Sequence, residues 1–211
     1  MPDTRGTTDV NVARIAAITV LLMSPIGQNA SAADGSAAST VKAVCAKCHG
    51  PNGSGTSPLF PRLAGQQAAY LERQLRQFRE RSRGDAHARA YMWGIAKPLS
   101  DVEIHNLATY LAARPPAKPS EPVNPELAAR GREIFEHGVA ERNVPACANC
   151  HGRQAQGMQE IPRLAGQHRD YIYRQIQEFR GLLRKDEIMH EQTKNVSDEE
   201  ALAVAEYLSS K

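Results

Sequence analysis

The sequence is short of the side chains that build a large core. Aromatic residues make up 5 % of its 211 positions, and there is a single Trp. If the chain forms two units, each has little apolar volume to bury, and units that small ordinarily need a staple, a metal or a cofactor. Charge of one sign is also lacking: 26 Lys and Arg against 23 Asp and Glu leave a net +3. No basic run is interleaved with aromatics, which excludes nucleic acid as a partner. Long hydrophobic runs are missing too. The N-terminal apolar stretch, Ile15 to Met23, has nine residues, too few to span a bilayer unaided.

That stretch has the layout of an export signal. Arg14 precedes it, Ser24-Pro25 breaks it, and Ala30-Ser31-Ala32 fits a signal peptidase site. Residues 1–32 are therefore expected to be a signal peptide, with an exported, soluble chain starting near Ala33; an uncleaved membrane anchor is the alternative. An exported chain with four Cys ordinarily suggests two disulfides. The spacing argues otherwise.

Two segments repeat. Cys45-Ala46-Lys47-Cys48-His49-Gly50 returns as Cys147-Ala148-Asn149-Cys150-His151-Gly152. Pro61-Arg62-Leu63-Ala64-Gly65-Gln66 returns as Pro162-Arg163-Leu164-Ala165-Gly166-Gln167. Tyr70, Gln74, Phe78 and Arg79 match Tyr171, Gln175, Phe179 and Arg180, and Tyr110-Leu111 matches Tyr207-Leu208. The chain is a duplicated small domain, expected at 33–113 and 126–211. The Pro-rich stretch 114–125 between them reads as an extended, semi-stiff linker.

Each copy reads as helical. Leu71, Leu75 and Phe78, like Ile172, Ile176 and Phe179, fall at helical spacing. Ser100-x-x-Glu103 and Ser197-x-x-Glu200 are capping boxes that satisfy backbone donors where a helix begins. Ile104, Leu107, Ala108 and Leu111 continue the first as an apolar stripe. No alternating strand pattern stands out, so the expected fold is all-α.

Cys-x-x-Cys-His is the attachment signature of c-type haem. On a helical turn, residues three and four apart share a face. Cys45 and Cys48, and likewise Cys147 and Cys150, can thus meet the two vinyl groups of one porphyrin while His49 or His151 stands over the iron. A structural zinc site wants four ligands from paired knuckles, whereas here a His follows each pair at once. A thioredoxin-like motif belongs to a β-rich fold with no sign here. For the sixth ligand, Met92 lies seven residues before Leu99 and Met189 seven before Val196, each beside a capping box. That shared offset marks them as axial ligands, and a thioether ligand raises the reduction potential. Met158 has no counterpart and reads as core filler. His190 stands where the first copy has Trp93 and reads as partly exposed, while His87, His105, His137 and His168 read as surface residues.

These residues resemble a known family, the dihaem cytochromes c4, built from two class I cytochrome c domains in tandem. The resemblance covers essentially the whole exported chain. It implies two covalently bound haem c groups and a hydrogen bond from each haem-ligating His to the carbonyl of Pro61 or Pro162, which orients the ring. Arg62, Arg163, Gln66 and Gln167 are further candidates, for the haem propionates. The function implied is that of an electron carrier in the periplasm, not an enzyme. Its expected partners are redox proteins, namely a membrane-bound donor and a terminal oxidase, and the resemblance leaves room for peripheral membrane association. The alternative is a dihaem subunit of a flavocytochrome dehydrogenase, partnered by a flavoprotein. A dihaem peroxidase would need one open iron and a longer chain.

Overall fold

In the computed structural model the described residues are 1–2 and 35–211. The expected cleavage point near Ala33, and nearly all of the signal segment, lie outside them. The first half contains helices α1 (35–49), α2 (Ala68–Arg79), α3 (86–96) and α4 (Asp101–Ala112). The second contains α5 (Pro125–His137), α6 (Ala148–His151), α7 (Arg169–Arg180), α8 (Glu187–Thr193) and α9 (Asp198–Ser209). Among the described residues there is no strand, only isolated bridges at Val139–Val144 and Met158–Ile161. The fold is all-α, as expected.

Local sequence explains most helix ends. Both capping boxes form: Ser100 accepts from the Glu103 amide while the Glu103 carboxylate accepts from the Ser100 amide, and Ser197 and Glu200 do the same. Helix α5 starts with Asn124 as cap and Pro125 in its first turn, so the linker ends one residue earlier than the proline pattern suggests. The haem-motif helices stop at Gly50 (φ 74°, ψ 169°) and Gly152 (φ 78°, ψ 152°), a region essentially closed to residues with a Cβ.

The halves differ at their entry. In the first, one helix runs straight into the cysteine motif through a π turn, Val41–Cys45. In the second, α5 ends at Gly138 and a loop leads to α6. Helix α5 crosses α9 so tightly that a Cβ on Gly131 would lie 1.8 Å from the Ala203 carbonyl oxygen. Phe135, Ala203, Val204 and Leu208 form the core there. In the first half Val41, Leu71, Leu107 and Leu111 play that part.

The halves then exchange backbone contacts reciprocally. Gln66 Nε2 donates to the Arg163 carbonyl (2.9 Å) and the Arg163 amide donates to Gln66 Oε1 (2.7 Å). Gln167 Nε2 donates to the Arg62 carbonyl (3.0 Å) and the Arg62 amide donates to Gln167 Oε1 (2.9 Å). The connector is fastened as well. Arg62 Nη2 donates to the Ser120 hydroxyl (2.7 Å), and Glu121 accepts from His168 Nδ1 (2.5 Å) and from the Arg169 amide (3.2 Å).

Candidate functional site

The two cysteine motifs open onto one cavity of about 810 Å³ that runs through both halves. Its walls include both cysteine pairs, both motif histidines, Met92 and Met189. No cysteine is paired with another, so the disulfide alternative is not realised. Before any bond to a cofactor, burial pushes the Cys45 thiol up and the Cys147 thiol up to about 11, with only partial relief from the backbone.

Each motif histidine is buried and turned by a proline carbonyl. His49 Nδ1 lies 2.8 Å from the Pro61 oxygen and His151 Nδ1 lies 3.1 Å from the Pro162 oxygen. A carbonyl only accepts, so Nδ1 carries the hydrogen and Nε2 keeps its lone pair. Burial lowers both pKa values, outweighing the opposing pull of those carbonyls, so the rings are neutral. A neutral imidazole with a free, oriented Nε2 is what an iron ligand requires. The donor set therefore fits a haem in each half: two thiols, one prepared imidazole, a thioether on the wall and an apolar slot.

Met92 ends a π turn, Ala88–Met92, whereas Met189 sits in the regular helix α8 with its amide capped by Asp186. Such turns recur at functional positions because they re-aim a side chain without ending the helix. Met158 is 59 % exposed, so it is not the core filler its sequence suggests. His190 is half-buried, its Nδ1 3.0 Å from the Phe179 carbonyl. His168 is a correction: it is 4 % exposed, closed off by Glu121 and tucked against Gly55.

Arg62, Gln66 and Gln167, expected near the propionates, are held by the interdomain contacts just described, as is the backbone of Arg163. All four still line the cavity, and where the two halves meet they are joined by polar residues that sequence reasoning left unassigned. Arg83 donates to Gln74 Oε1 (2.7 Å) and, across the boundary, to Gln175 Oε1 (2.9 Å). Arg184 mirrors it, donating to Gln175 and, across the boundary, to Gln74 Oε1 (2.8 Å) and the Tyr70 hydroxyl (2.9 Å). Asp85 pairs with Arg83 Nε at 2.8 Å. Burial works against that carboxylate, but the charge and hydrogen bond of Arg83 outweigh it and hold it ionised. Matching Tyr70, Gln74 and Arg83 to Tyr171, Gln175 and Arg184 in the repeat was the available signal.

A family model described as cytochrome c matches residues 32–114 and again 128–211. The chain belongs to the cytochrome c family. It is 39 % identical over 171 residues to cytochrome c4 of Thiocapsa roseopersicina, covering 78 % of this chain and 85 % of that one. It is 37 % identical over 186 residues to a thiosulfate dehydrogenase electron acceptor of Thiomonas intermedia, covering 85 % and 84 %. The solved cytochrome c4 of Acidithiobacillus ferrooxidans superposes with a TM-score of 0.75 at 39 % identity, covering 79 % of this chain and 98 % of that one. This cytochrome has two tandem domains of the c4 kind, binds two haem c groups covalently and carries electrons rather than transforming a substrate. Among the described residues, no helix is long and apolar enough to cross a membrane.

Proposed function

We propose that this cytochrome is a periplasmic carrier that takes electrons from a membrane-bound donor and passes them to a terminal oxidase. The observation that carries the reading is the shared cavity with a matched donor set at each end. In this reading the haem is linked through Cys45 and Cys48 in domain 33–113 and through Cys147 and Cys150 in domain 126–211. His49 with Met92, and His151 with Met189, are its axial ligands. Residues 1–32 act as the export signal and 114–125 as the connector.

Bound haem supplies a one-electron couple; the chain sets its level and its access. The Pro61 and Pro162 carbonyls keep each imidazole oriented and electron-rich. Burial in an apolar slot penalises the more highly charged ferric state and raises the potential. Arg83 and Arg184 would hold propionates where the two halves meet, with Tyr70, Tyr171, Gln74 and Gln175 around them.

Single Met92→Ala and Met189→Ala variants test the ligand set. Each is expected to remove the near-infrared band of one sulfur-ligated ferric haem and to lower one of the two potentials, leaving the other in place. Retention of both bands in either variant sinks the assignment of that methionine.

A second reading, as the dedicated electron acceptor of a dehydrogenase subunit, is favoured by the relative named as a thiosulfate dehydrogenase electron acceptor. Co-purification of a dehydrogenase subunit in stoichiometric amount supports it; a lone cytochrome that reduces an oxidase supports the first.

A further inference from the structure

The duplication makes each half a control for the other, and one buried difference stands beside the cavity. Three residues beyond the cavity-lining glutamine, helix α2 has Gln77 and helix α7 has Glu178. The local bonding is the same: Gln74 Nε2 donates to Gln77 Oε1 (3.1 Å), and Gln175 Nε2 donates to Glu178 Oε2. Where one half has an amide, the other has a carboxyl. Gln77 is half-buried, whereas Glu178 is 6 % exposed.

A carboxylate that deep needs a close cation. The charged groups facing Glu178 are Arg174 from its own helix and Arg83 and Asp85 from the first domain. Arg174 Nε approaches no nearer than 4.0 Å, and Arg83 is already held by Asp85, Gln74 and Gln175. Asp85 is ionised and 1 % exposed, so it repels a second negative charge. Burial, then Asp85, push the Glu178 pKa above its ordinary range; Arg83 and Arg174 do not undo this. The carboxyl is linked to the cavity by a single side chain. Gln175 donates to it while accepting from Arg83 and Arg184, and all three of these residues line the cavity.

We propose that Glu178 binds a proton when this cytochrome is reduced and releases it on oxidation, so that electron transfer is coupled to proton transfer. One electron converts ferric to ferrous iron, and one proton from water forms an O–H bond on the Glu178 carboxylate. Oxidation by the acceptor reverses both. Removing a positive charge from the cavity favours the neutral acid, and by reciprocity the neutral acid favours reduction. Where Glu178 is neutral in both redox states, or ionised in both, the potential is flat. Between those limits it falls as pH rises.

The test is a spectroelectrochemical titration of the full holoprotein between about pH 4 and pH 9, bracketing an ordinary and a strongly raised Glu. Wild type is compared with Glu178→Gln, which borrows the first half's own residue and keeps an acceptor for Gln175. The expected result is a potential that falls with pH in wild type and loses that slope in the variant. Equal slopes in both, which the propionates alone would produce, overturn the proposal. If the variant fails to mature, proton uptake per electron on reducing wild type, read with an indicator dye, decides: no uptake refutes it. A pyridine haemochrome spectrum taken first separates this failure from an absence of haem.

Discussion

Glu121 and His168 lie 47 positions apart and form a partly buried pair that pins the connector to the second domain. Burial raises the Glu121 pKa, but the His168 hydrogen bond, the Arg169 amide and the charges of His168 and Arg62 outweigh it, and the net shift is downward. The folded value therefore lies below the unfolded one, about 4.3 for Glu. The stabilisation is complete above the unfolded value and disappears as pH falls through the folded one. Protection of the Arg169 amide, which donates to Glu121, is expected to drop on acidification below about pH 4 and to lose that dependence in Glu121→Gln. Hydrogen exchange corrected for intrinsic rates measures it; constant protection from neutral to strongly acid solution contradicts the clamp. Nothing near His168 in the sequence marks it as buried, because what covers it comes from the connector. Arg62 and Gln66 show a related limit: both line the cavity, but nothing in the sequence signals that they also bind the connector and backbone groups of the other domain. The cysteine pairs and the histidine after each were legible because they lie within one helical turn, whereas Met92 and Met189 stood out only by their shared offset in the repeat; all line the cavity.

Among the elements, the helices opened by capping boxes are the most legible, since both partners lie within one turn. Ser100→Ala and Ser197→Ala are each expected to lower stability by about 1 kcal/mol, seen as a lower thermal midpoint of the holoprotein. The crossing of α5 on α9 is less forgiving. Gly131→Ala would drive a methyl into the Ala203 carbonyl, with a cost of at least about 1–3 kcal/mol. A midpoint unchanged in Gly131→Ala would mean the two helices are not in such close contact. Helix α1 has no such local signature. The π turn that carries Cys45 packs against the Leu107–Leu111 face, which no local pattern records.

For the whole molecule, the sequence establishes that there are two domains without saying how they meet. That depends on which long side chains reach across, and Arg83, Arg184, Gln66 and Gln167 give no local hint of it. Gln66 and Gln167 are 7 % and 6 % exposed, and each satisfies two backbone groups of the other domain. Replacing both by Ala leaves four such groups unpaired, at about 1–3 kcal/mol for each group that water does not reach. Denaturant unfolding of the double variant is expected to show the domains separating before either unfolds. A single transition at the wild-type midpoint would place the cohesion elsewhere.

The reciprocal contacts also bear on origin. Arg62 meets Gln167 as Arg163 meets Gln66, which is how a patch behaves when it is complementary to a rotated copy of itself. Such self-complementarity is native to symmetric homodimers, where one surface serves both partners. The arrangement fits a single-haem ancestor that already paired with itself before fusion joined the two genes. Once the halves were tethered, each surface could differ from its twin, as Glu178 differs from Gln77.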